Sequence, residues 1–137
     1  MTRTAPTTTD PGPARTAPAT AAAARRVVVV DDSPDDRAEA RRLLLKGSDR
    51  RYAFREGETG TAAVAAVLTD PPDCLLLDYN LPDMDAPEVL AALAGPDGLT
   101  VCPVVVITGS AGAEMGRAVL RAGAQDYIGK DWLTAQG

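Results

Sequence analysis

Three short apolar runs constrain this chain most: Val27-Val28-Val29-Val30, Cys74-Leu75-Leu76-Leu77 and Val104-Val105-Val106-Ile107. Each is too short for a buried helix. Each is also apolar throughout rather than alternating, as strands of a parallel sheet covered on both faces are. Helical patterns lie between them. Ser33-Pro34-Asp35-Asp36 reads as a helix start, with Ser33 as N-cap, Pro34 in the first turn and two acids at the positive end of the helix dipole. That helix is expected to run to about Lys46 and stop at Gly47. Val64, Val67 and Leu68 place a second helix over residues 61–68, ended by Pro71-Pro72. A third spans residues 88–93 behind Pro87. Met115, Ala118, Val119 and Ala122 form one face of a fourth, with Gly123 as its C-cap. Residues 51–56 alternate weakly and read as an edge strand, and Tyr127-Ile128 as a short fifth strand. Five strands alternating with helices imply an α/β fold with a doubly wound five-stranded parallel sheet.

Composition sets the limits of that domain. Residues 1–24 are almost entirely Thr, Ala, Pro, Gly and Asp without apolar periodicity, and read as a disordered arm ahead of one folded domain over residues 25–137. The arm lacks the apolar core of a signal peptide; arginine and threonine with little acid also fit a transit peptide. No run of eighteen apolar residues offers a membrane span. The net charge of -5 argues against a nucleic-acid surface and favours a cation site or a cationic partner. Cys74 and Cys102, both beside apolar runs, read as buried strand thiols of a cytoplasmic protein, not as a disulfide or metal framework. With no histidine, every mechanism that needs an imidazole in this chain is excluded.

The polar residues that follow the strands carry the chemistry. Asp31 and Asp32 follow the first strand, Asp78 the third, Thr108 ends the fourth, and the fifth runs into Lys130. In a doubly wound sheet, ligands bind outside the carboxyl ends of the strands. Any one of these residues is adequately explained as a loop returning to water; three acids, a hydroxyl and an amine at one end are not. Packed carboxylates repel one another, and a hard divalent cation with oxygen ligands, Mg²⁺ above all, relieves that repulsion. A carboxylate beside Mg²⁺ can act as a nucleophile toward a phosphoryl group, a transfer that asks mainly for positioning and charge neutralisation. Gly109, Gly112 and Gly116 follow the fourth strand in no dinucleotide-binding pattern, and Gly57 and Gly60 fail that of a P-loop.

The runs Val-Val-Val-Val-Asp31-Asp32-Ser-Pro, Leu-Leu-Leu-Asp78-Tyr-Asn80-Leu-Pro82-Asp-Met-Asp85, Val-Ile-Thr108-Gly109 and Asp-Tyr127-Ile-Gly-Lys130 resemble response-regulator receiver domains across roughly residues 25–131. The resemblance implies a flavodoxin-like receiver fold and a Mg²⁺-dependent phosphorylation switch in two-component signalling. In that role Asp78 is the phosphoacceptor, Asp31 and Asp32 hold Mg²⁺ with Asp78, and the main-chain carbonyl of Asn80 is a further ligand. Thr108 and Lys130 meet the phosphoryl group, and Tyr127 is the aromatic switch residue that responds with Thr108. The implied donor is a sensor histidine kinase or a phosphotransfer protein, with an unidentified output partner. No direct nucleic-acid or membrane contact is implied, and no turnover beyond the chain's own phosphorylation and dephosphorylation. Three departures stand out. Ala86 replaces the usual glycine, Asp131 the usual proline after the lysine, and only seven residues follow Lys130, so the fifth helix is expected to be short or missing. The bond before Asp131 is expected to be trans. Val27 to Val30 and Ile128 are then expected to be partly uncovered, with Trp132 and Leu133 folding back over part of that surface. The rival reading is a haloacid-dehalogenase-type aspartyl-phosphate phosphatase. That family needs an acid two residues after its nucleophile, where this chain has Asn80.

Overall fold

The computed structural model describes residues 24–46, 50–109 and 113–130. In chain order the elements are β1 (Arg25–Val30), α1 (Pro34–Lys46), β2 (Tyr52–Gly57), α2 (Gly60–Thr69), β3 (Cys74–Asp78), α3 (Ala86–Leu93), β4 (Val104–Thr108), α4 (Ala113–Arg121) and β5 (Asp126–Gly129). The strands form one parallel sheet in the order β2-β1-β3-β4-β5, so β2 is an edge strand as its weak alternation implies. The order reverses between β1 and β3, which puts a crevice at their carboxyl ends.

Strand alternation divides the core in two. Val28, Val30, Leu75, Leu77, Val104 and Val106 face the larger cluster, closed by Ala63 and Val67 of α2, Val89, Leu90 and Leu93 of α3, and Val119 of α4. Val27, Val29, Leu76 and Ile107 face the smaller one, with Ala40, Leu43 and Leu44 of α1.

Local chemistry sets the helix ends. The Asp36 N–H donates to Ser33 Oγ at 3.2 Å, the N-cap bond that starts α1. Thr59, which the sequence reading misses, caps α2 in the same way by accepting from Ala62 N at 3.0 Å. α3 begins at Ala86, two residues earlier than the proline suggests, because Asp85 and Glu88 form a reciprocal capping box. Ala86 replaces the family's glycine without disturbance: it is the first residue of that helix, and its methyl is wholly buried. Gly123, at φ 118°, is the C-cap expected after α4, and only a residue without Cβ takes that φ freely.

Several expectations need correction. Val27 to Val30 are not partly uncovered: they are 1–4% exposed, because β1 is an interior strand between β2 and β3 with helices on both faces. Ile128, by contrast, is half-buried and so partly uncovered, as expected. In α4, Met115, Val119 and Ala122 face inward, but Ala118 is exposed and Gly116 is buried in its place. Cys102 is buried in the loop before β4 rather than in a strand. The disordered arm, the stop at Gly47, Gly112, the bond before Asp131, the fold-back of Trp132 and Leu133 and the fifth helix all lie outside the described residues, apart from Ala24.

Candidate metal and phosphoryl site

Strand register explains why the predicted residues meet. Val30 pairs with Leu77, and Asp78 with Ile107, so Asp31 and Asp78 come level at the carboxyl ends of neighbouring strands. By alternation Asp31 continues the row of Val27 and Val29, and Asp78 that of Leu76, toward the face covered by α1. The carboxylates of Asp31, Asp32 and Asp78 each offer an oxygen within 4.8 Å of the others. Asp31 and Asp78 are only 5% and 7% exposed, while Asp32 is open to solvent.

Lys130 reaches this cluster despite the aspartate that follows it. Its Nζ lies 2.8 Å from Asp31 Oδ2, 2.8 Å from Asp36 Oδ2 and 3.2 Å from Asp78 Oδ1. One ammonium thus serves three carboxylates, with Asp32 beside them. Burial, then the charge of Asp31, pushes the Asp78 carboxyl up to about 6, against the smaller opposing pull of Lys130. Burial draws Lys130 down, but its bonds to Asp31 and Asp36 outweigh this and hold its pKa above the ordinary lysine value. The two partners are at odds only until the sharing is counted: the ammonium is held by several acids, and Asp78 receives the longest share. Three clustered oxygen donors with surplus negative charge fit a hard divalent cation such as Mg²⁺.

Thr108 and Tyr127 approach from the other side of the sheet. Thr108, 2% exposed, follows Val106 and donates from Oγ1 to Met115 Sδ of α4 at 3.4 Å. Tyr127 pairs with Val106, packs against the larger cluster, and lays its ring on Gly116 of α4; a methyl at that glycine would overlap the ring. Asn80 is exposed, two residues beyond Asp78, and bridges antiparallel to Asp85.

Several supporting side chains carry no local signal of their part in the site. Sequence alone marks Asp36 as a helix-start acid, yet it reaches Lys130 from 94 residues away. Arg37, almost buried, donates from Nη1 to the Asp31 carbonyl at 2.6 Å and from Nε to Glu56 Oε1 at 2.7 Å; Arg41 takes the other oxygen of Glu56 at 2.7 Å. This clamp fixes the β1–α1 loop to the end of β2. Asp83 accepts from the hydroxyl and N–H of Thr61 and the N–H of Gly60, bonds that hold its carboxyl down at about 2 and tie the loop after β3 to the start of α2.

Residues 27–136 match the family model described as "Response regulator receiver domain". The transcriptional regulatory protein KdpE of Mycobacterium tuberculosis is 35% identical over 90 residues, covering 66% of this chain and 38% of that protein. The chain therefore spans about two fifths of the length of such relatives. Among solved structures, the signal receiver domain of the response regulator NarL from M. tuberculosis superposes with a TM-score of 0.66 at 32% identity, over 79% of this chain and 85% of that one. The Mn²⁺-bound form of response regulator Rcp1 superposes with a TM-score of 0.68 at 28% identity, over 81% and 88% of the two chains. Described helices include none long and apolar enough to cross a membrane. Receiver domains generally use Mg²⁺ at an acidic pocket and interact with histidine kinases or phosphotransfer partners. Strand order, acidic pocket and family match agree, and the chain belongs to the response regulator receiver family.

Proposed function

We infer that this receiver domain accepts a phosphoryl group on Asp78 and acts as a phosphorylation switch. The observation that carries the reading is the buried Asp78 carboxylate, level with Asp31 and within reach of Lys130. With its pKa at about 6 the carboxyl is largely ionised at neutral pH and can act as the nucleophile. One Asp78 oxygen forms the O–P bond as the P–N bond of a phosphohistidine breaks, and the leaving imidazole takes a proton. Asp31, Asp32, Asp78 and the main-chain carbonyl of Asn80 would hold a Mg²⁺, whose chemistry when bound is to neutralise charge on the phosphoryl oxygens. Lys130 supplies a charged donor to those oxygens, and the Thr108 hydroxyl a neutral one. Thr108 now donates to a thioether, a weak acceptor, so leaving it costs little. Met115 stands next to Gly116, on which the Tyr127 ring rests, so a hydroxyl that turns away from Met115 acts beside that ring and gives the switch a route to the surface.

The phosphorylated histidine lies outside these 137 residues, which contain none. A sensor histidine kinase or a phosphotransfer protein, meeting this domain in the cytoplasm, fits the family. Response regulator Rcp1 binds Mn²⁺, which supports a divalent cation at the acidic pocket here. The folded unit is taken to start at Arg25, with the preceding arm outside the chemistry. The phosphatase alternative finds no support, because the position its acid/base would need is Asn80.

Acetyl phosphate with Mg²⁺ is expected to add one phosphoryl group, located by peptide mass spectrometry at Asp78. Asp78→Asn should abolish it while keeping the parent's circular dichroism. Equal labelling of that variant would refute the assignment.

A further inference from the structure

Asp36 stands outside the residues assigned above, yet its placement is determined by them. Ser33 N donates to Asp31 Oδ1 at 2.9 Å; Asp36 N donates to Ser33 Oγ at 3.2 Å; Lys130 Nζ donates to Asp36 Oδ2 and lies equally close to Asp31 Oδ2, at 2.8 Å each. These four contacts close a ring through Asp31, Ser33, Asp36 and Lys130. The neighbouring Arg37 is pinned to Glu56 and to the Asp31 carbonyl, which holds the same turn of α1 in place. Asp36 is therefore no freely rotating surface acid, although its side chain is 44% exposed.

The distances are unequal. Lys130 sits at 2.8 Å from Asp31 and Asp36 and at 3.2 Å from Asp78. We propose that Asp36 is a positioning residue that draws the Lys130 ammonium away from Asp78 and competes with an incoming phosphoryl group for it, so that it slows phosphoryl acceptance. The proposal rests on the reading of Asp78 as phosphoacceptor. Of the ammonium's three acids, Asp36 is the one to yield. Its bond is the most open to water and the most screened, and its carboxylate is not one of the three, Asp31, Asp32 and Asp78, whose oxygens cluster together.

Asp36→Asn keeps the side-chain shape and removes the charge that holds Lys130 back. Acetyl phosphate labelling in Mg²⁺ should then run about two- to five-fold faster, the size an exposed ion pair supports. Asp35→Asn removes the same charge from the same turn without touching the Lys130–Asp36 ion pair, and should stay within experimental error of the parent. Asp36→Glu restores the charge and should return the rate toward that of the parent. A second measurement does not depend on phosphorylation. In metal-free urea unfolding, a double-mutant cycle of Asp36→Asn with Lys130→Gln should show about two- to five-fold coupling in the unfolding constant, and Asp35→Asn with Lys130→Gln none. Equal rates for the two Asn variants, a slower Asp36→Asn, or no coupling in the cycle overturns the proposal. Labelling that survives Asp78→Asn refutes the phosphoacceptor reading instead, and the cycle still reports whether Asp36 and Lys130 pair.

Discussion

Asp78 works against the fold that positions it. Its carboxyl, pushed up to about 6 by burial and by Asp31, binds a proton more tightly in the folded chain than its ordinary value of 3.8 would give. The sign follows from linkage. Between about pH 4 and pH 6 the folded state holds the extra proton, so metal-free stability falls as pH rises, and above 6 the full cost is present. Asp78→Asn removes the charge and nearly keeps the shape. At pH 7.5 without metal the variant should be more stable than the parent by roughly 1–3 kcal/mol. Its advantage should shrink as pH drops through 6 toward 4. Urea unfolding at several pH values checks this; a variant less stable than the parent at pH 7.5 would mean that pairing with Lys130 outweighs desolvation. The cluster of Asp31, Asp32 and Asp78 was legible because these acids stand where apolar strands end, and parallel strands deliver such positions to one end. Asp36 was not, because a first-turn acid is sufficiently explained by the helix dipole. Its contact with Lys130 depends on how α1 packs beside the strand ends, which no local pattern encodes.

Among the elements, α4 shows best where sequence reasoning stops. Periodicity gives its inward face to Met115, Ala118, Val119 and Ala122. The structure exchanges Ala118 for Gly116, because the helix must accept a side chain from the strand beneath it. The ring of Tyr127 occupies the space that a Cβ at position 116 would take. Helical periodicity records which residues of α4 are apolar, but not that one of them is small to seat a ring eleven positions later. Gly116→Ala therefore opposes two effects. Helix propensity favours alanine by roughly 0.5–1 kcal/mol. Overlap with the ring costs typically ~1–3 kcal/mol where neighbours cannot yield. The steric effect should win: the variant should melt lower, and the Tyr127 ring resonances should shift as the ring leaves its seat. A higher melting temperature with unmoved tyrosine resonances would show that the ring adapts in place. The clamp of Arg37 and Arg41 on Glu56 was hidden for a related reason, since Arg37 and Glu56 stand 19 positions apart and meet only once α1 packs beside the end of β2.

For the whole molecule, folding and cation binding share the same strands. β1, β3 and β4 are the interior strands, and they supply the residues on which both core clusters are built. The layered architecture was legible because the cores need only apolar strands and periodic helices. Of the sheet order, only the edge position of residues 51–56 was read directly, from their weak alternation. The exposure expected for β1 was wrong because burial of an interior strand depends on its two neighbours and on the helices of both faces. Two of these strands lead directly into Asp31, Asp32 and Asp78, so the fold itself brings those carboxylates within 4.8 Å. An unfolded chain separates Asp31 from Asp78 by 46 intervening residues, the span from 32 to 77, and has no such cluster. A cation held by the three should bind the folded state alone, adding stability that grows by about 1.4 kcal/mol for each tenfold rise in its concentration above Kd. Mg²⁺ should therefore raise the melting temperature by several degrees, with a logarithmic dependence on concentration. Sodium chloride at matched ionic strength only screens the repulsion and should do less. Asp32→Asn separates the two effects: it relieves repulsion, so its metal-free form should melt no lower than the parent, while its response to Mg²⁺ should be much reduced. Equal shifts from both salts, or an undiminished Mg²⁺ response in Asp32→Asn, would mean that the cluster holds no specific cation and that its charge is answered by Lys130 and solvent ions alone.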